Sequence, residues 1–161
     1  QAVNGLYRLA PDGNLALLAD DFDRPNGLAF SPDEKVLYVA DCSRGLVRAF
    51  DVAADGSLAN GRLFCQVPRE QRFTPDGMKA DAKGNLYATG GSSGLWVFAP
   101  DGKVLARVAF PASTTNCAFG GPDRRTLYIC TVPDFDGSAA SSDAQGRLEA
   151  VALDFTGAGK P

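Results

Sequence analysis

Apolar residues in this chain come in short runs rather than in long stripes. Leu28-Ala29-Phe30, Val36 to Ala40 and Leu95 to Phe98 are three such runs, each bounded by Gly, Pro, Asp, Asn or Ser. Short runs between turn residues, with no sustained three-to-four-residue recurrence, predict β-strands rather than helices. Asp12-Gly13, Asp55-Gly56 and Asp101-Gly102 mark tight hairpins, because Asp-Gly accepts the positive φ such turns require.

The pattern also repeats. "PNGLAFSPDEKVLYVAD" from Pro25, "PDGMKADAKGNLYATG" from Pro75 and "TNCAFGGPDRRTLYICT" from Thr115 align. Each has a small polar opening, a short apolar strand, a turn and a second strand containing Leu-Tyr. A further strand pair recurs between them, in "GLYRLAPDGNL" from Gly5, "GLVRAFDVAADGSL" from Gly45 and "GLWVFAPDGKVL" from Gly94. "GRLEAVALDFTGAGKP" from Gly146 follows this pattern more loosely.

One full unit is therefore a meander of four strands. Units are expected over residues 25–68, 75–111 and 115–161, while residues 1–20 supply only an outer pair, 6–9 and 15–19. Four-stranded sheets recurring every 40 to 50 residues or so are the signature of β-propeller blades. A β-sandwich also has short strands and frequent turns, but it does not require the same turn chemistry in phase. The expected fold is all-β, with residues 1–161 a partial propeller of four-stranded antiparallel blades. Propellers have about 4 to 8 blades, and an open arc leaves sheet faces exposed. Closure by self-association, or by strands supplied from a missing N-terminal half, is therefore expected.

Composition narrows the chemistry. The 161 residues carry a net charge of -3 and no Lys/Arg stripe, which argues against a nucleic-acid partner. No apolar run approaches the roughly 18 residues of a membrane span. The opening "QAVNGLYRLA" lacks a basic stretch followed by an apolar one, so a cytoplasmic location is expected, with the periplasm as the alternative. Histidine is absent, which excludes Ser-His-Asp and Cys-His nucleophilic devices and histidine zinc sites within this chain. Any metal must use oxygen ligands and so be a hard cation. Cys42, Cys65, Cys117 and Cys130 show no CxxC spacing, and free thiols are the expected state.

Asn26, Asp76 and Asn116 open the first strands of three aligned units. In a propeller those strands line the central channel, so three oxygen-bearing side chains would meet at one level. A carboxylate with amide oxygens suits a hard divalent cation. Taken singly, each also suits a simple turn in which the side chain bonds its own backbone. Asp12, Asp33, Asp55, Asp101 and Asp123 are read as turn residues of that kind. Asp41 is read as a cap at a strand end, and Asp20, Asp21 and Asp23 as a solvated loop. Trp96 and the tyrosines are read as core between blades.

The three aligned motifs resemble the gluconolactonase/senescence-marker-protein (regucalcin) family, over nearly the whole chain and in the right order. The resemblance implies a six-bladed propeller with one divalent metal at the channel mouth, calcium or zinc first, with magnesium or manganese as alternatives. It implies hydrolysis of small-molecule sugar lactones. Asn26 matches a metal-ligand asparagine. Asp76 matches a metal-ligand aspartate also assigned as the catalytic base, and Asn116 matches a channel-mouth or substrate-binding position. The family's ligand glutamate and its substrate-contacting Arg and Asn have no counterpart here, and the chain resembles the C-terminal half. A non-catalytic module that binds a metal or a protein partner is the alternative.

Overall fold

The computed structural model describes residues 3–133 and the backbone of strand 147–152. Thirteen strands run in chain order among the described residues: β1 (Leu6–Leu9), β2 (Leu15–Ala19), β3 (Pro25–Phe30), β4 (Val36–Asp41), β5 (Leu46–Val52), β6 (Leu58–Gln66), β7 (Met78–Ala80), β8 (Leu86–Thr89), β9 (Leu95–Phe98), β10 (Val104–Val108), β11 (Ser113–Gly120), β12 (Thr126–Val132) and β13 (Arg147–Ala152). One 3-10 turn, Arg69–Gln71, is the sole helical piece among the described residues.

The strands form four sheets with sequential neighbours: β1-β2, β3 to β6, β7 to β10 and β11-β12-β13. Every pairing is antiparallel. These sheets follow the repeat units, and the first unit has its outer strand pair among the described residues. The expected tail strand of the last unit, beyond residue 152, lies outside them. Gly13, Gly56 and Gly102 have φ of 86°, 76° and 81°, as the Asp-Gly turns require.

Strand alternation places two apolar faces on each inner sheet. Tyr38, Ala40 and Ala49 of the second sheet pack against Met78, Leu86, Ala88 and Phe98 of the third. Tyr87 and Val97, on the third sheet's other face, meet Leu127 and Ile129 of the fourth. Leu37, Val39 and Phe50 lie under Leu6 and Phe22 at the first sheet. Trp96 is buried between sheets as expected, with Arg107 over its ring at 5.2 Å. The acidic loop is solvated as expected, and the exposed Asp21 carboxylate pairs with Arg48.

The covering is uneven. Met78 and Ala80 of β7 are buried at 0% and 4% exposure beside β3. Leu28 and Phe30, at the same inner position of the preceding unit, are 47% and 49% exposed. They pair with covered Val39 and Leu37, so one apolar face continues past its cover.

Candidate metal and catalytic site

The start of β3 is pinned from below by Asp41. This carboxylate is fully buried and accepts the backbone N–H groups of Asp23, Arg24 and Arg44 at 2.9, 3.2 and 3.3 Å. The Arg44 guanidinium also donates to it at 3.1 Å. Asp41 is thus the cap the sequence suggested. Pro25 pairs with Asp41 as the first strand residue, where its missing N–H costs least. The register then shifts between Pro25 and Leu28, which interrupts the ladder at Asn26 and leaves its side chain exposed.

Asp76 is fixed from two sides. Its N–H donates to the Thr89 carbonyl at 2.9 Å, and the Gly77 N–H donates to the Thr115 carbonyl at 2.9 Å. The Gly77 carbonyl accepts from the Thr89 hydroxyl at 2.9 Å. Two glycines set the spacing of the three openings. A Cβ on Gly27 would run into the Asp76 carbonyl, and one on Gly77 into the Asn116 side chain. Only glycine lets these backbones approach so closely.

The structure brings Asn26 and Asp76 into contact. Burial of the Asp76 carboxyl pushes its pKa above the ordinary 3.8, against opposing contributions from the Asn26 side chain, the Gly77 N–H and the Arg24 charge. Asn116 stands beside them over Gly77, but its Oδ1 accepts the Cys117 N–H at 2.9 Å, a local bond of the kind a turn residue makes.

Two neighbours escaped the sequence reading. Cys42 is half-buried and its thiol pKa is raised, first by burial, with Arg24, Asp76 and the Asn26 side chain also acting on it. Arg24 is exposed and its charge reaches both Asp76 and Cys42. The signal for both is register: the Cys42 N–H donates to the Arg24 carbonyl at 2.9 Å, one step beyond the Pro25–Asp41 pair. All four cysteines are free, with Cys65 and Cys117 buried and Cys130 exposed.

The donor set fits a hard cation. It offers a carboxylate whose charge is under-compensated and an amide oxygen beside it, with no competing imidazole. Among the described residues no group of three or more Cys, Asp or Glu side chains gathers, so such a cation would depend on amide oxygens.

The model of the SMP-30/Gluconolactonase/LRE-like region matches residues 1–133. The chain belongs to this family. It is 38% identical over 135 residues to a gluconolactonase of Zymomonas mobilis, covering 78% of this chain and 37% of that protein. It is 32% identical over 165 residues to the pentonolactonase XacC of Haloferax volcanii, covering 97% and 56%. Among solved structures, a calcium-binding protein, regucalcin, from Agrobacterium tumefaciens matches at a TM-score of 0.76 and 25% identity, over 97% of this chain and 54% of that one. This chain therefore spans about half the length of such relatives. No helix among its described residues is long and apolar enough to cross a membrane.

Proposed function

We propose that this chain carries part of the active site of a sugar-lactone hydrolase that uses one divalent cation, held by Asn26 and Asp76. The observation that carries the reading is the half-buried Asp76 carboxyl, raised in pKa and bonded by Asn26, in a chain of the gluconolactonase family. Calcium is the first candidate, as a similar solved structure is a calcium-binding protein; zinc follows, then magnesium or manganese. When bound, the cation would act as a Lewis acid on the lactone carbonyl.

The chain's own groups do the rest. Asp76 accepts a proton from water as the water oxygen bonds to the lactone carbonyl carbon. The ring C–O bond then breaks and the ring oxygen takes up the proton, leaving a hydroxy acid. Burial that raises the Asp76 pKa makes its carboxylate a better base than an ordinary aspartate. Asn26 holds the Asp76 carboxylate in place, and Asn116 faces the substrate at the rim. Residues 1–161 form a partial propeller, and another copy or further strands close the ring over Leu28 and Phe30.

Cation titration by calorimetry and lactone turnover test this together. Asp76→Ala is expected to abolish both, and a variant that keeps both overturns the assignment. The commitment of the Asn116 Oδ1 to the Cys117 N–H favours a second reading, a module that binds a cation or a protein without turnover. Native mass and turnover with calcium or zinc separate the two: turnover in a closed assembly supports the enzyme, and an inert species of any size supports the module.

A further inference from the structure

The start of β3, the β4–β5 loop and the β6–β7 connection lie at one end of the sheets. Pro25 pairs with Asp41, Asp41 with Leu46, and Leu46 with Gln66, which fixes this geometry. Between the two loops opens a cavity of about 250 Å³. Arg44, Arg69 and Arg72 line it together with Cys42, Ser43 and Thr74, and no carboxylate does.

Arg44 is committed to Asp41, but Arg69 and Arg72 have no acidic partner among the described residues. Unpaired like charges around a cavity repel one another, so the fold must hold them there. It does so through the 3-10 turn, where the Arg72 N–H donates to the Arg69 carbonyl at 3.0 Å. Arg72 sits at φ 53°, uncommon for a residue with a Cβ. The next residue, Phe73, is buried with its ring centroid 5.6 Å from that of Trp96. Gln71 accepts from Arg107 at 3.1 Å, which ties the turn to β10.

Cys42 links this cavity to the proposed site, since it lines the one and interacts with Asn26 in the other. We propose that the cavity binds an anionic group, phosphoryl or carboxylate, on a sugar lactone whose ring is opened at Asp76. Guanidinium groups suit both anions because they donate two parallel hydrogen bonds to planar or tetrahedral oxygens. The ring chemistry rests on the lactonase reading above; the anion cavity does not.

Calorimetry with the full chain tests it without turnover, using glucitol 6-phosphate, gluconate and the neutral polyol glucitol as probes. The first two distinguish a phosphoryl from a carboxylate group, and either is expected to bind at least tenfold more tightly than glucitol. Arg69→Gln and Arg72→Gln should each weaken the preferred anion by about tenfold with an unchanged thermal midpoint. Arg62→Gln, which removes a charge paired with Asp51, should leave it unchanged. Equal binding of all three probes overturns the proposal. So does an equal loss in the Arg62→Gln control, which would reduce the effect to net charge. Anion binding with no hydrolysis of any lactone supports the cavity and sinks the lactonase. Hydrolysis of gluconolactone that is indifferent to a charged tail and to both arginine variants sinks the cavity alone.

Discussion

Asp41 and Asp76 sit at the same end of the sheets and differ in what surrounds them. Asp41 is fully buried, yet three backbone N–H groups and the Arg44 guanidinium satisfy it. Asp81, in the β7–β8 turn, follows the same rule with the N–H groups of Lys83 and Asn85 and the Asn85 side chain. Asp76 is only half-buried, but desolvation outweighs its bonds and raises its pKa. A carboxylate whose lone pairs are spent on the backbone is scaffold. One left short of donors has room for a ligand, and burial alone does not separate the two.

Removing Asp41 breaks that contrast most severely. Asp41→Ala strands three backbone donors and a guanidinium, and should cost about 3 to 5 kcal/mol. Urea unfolding measures this, and a loss no larger than that of Asp76→Ala would end the distinction. Gly27→Ala comes next. The new Cβ meets the Asp76 carbonyl, so about 2 kcal/mol of stability and the cation affinity should fall together. Gly13→Ala is the control, since nothing lies within 4 Å and only the positive φ of 86° resists, at about 1 kcal/mol. A Gly27→Ala protein as stable as the control, with full cation affinity, would mean that the openings are not held in contact.

The fold was legible because each unit carries its own strand and turn signals. The Asp-Gly hairpins, the Leu-Tyr strands and the outer pair Leu6–Leu9 and Leu15–Ala19 all appear where the repeats put them. Asn26 and Asp76 were found by phase, and their side chains do meet. Asn116 was found the same way, yet its Oδ1 is taken by its neighbour's N–H, because phase fixes a level and not a rotamer. Cys42 and Arg24 were not legible, since their approach to Asp76 depends on cross-strand register. Asp21 shows the same limit: its ion pair with Arg48 joins residues 27 positions apart.

The mildest test of the contrast is the pH dependence of stability. Asp76 has a folded pKa above 3.8, so the native state holds its proton more tightly than the unfolded chain. Stability referred to the Asp76→Asn variant should therefore fall as pH rises from 3.8 through the raised folded value, then level off. Asp51 supplies the opposite sign. The Asn60 and Arg62 side chains lower its pKa, so its contribution is present above 3.8 and is lost as pH falls through the depressed value. Thermal midpoints of Asp76→Asn and Asp51→Asn, each against the unsubstituted chain across this range, should diverge in opposite directions. Parallel curves for Asp76→Asn would mean that its carboxyl is no more desolvated than a surface turn aspartate, and the case for a ligand at that position would fail with it.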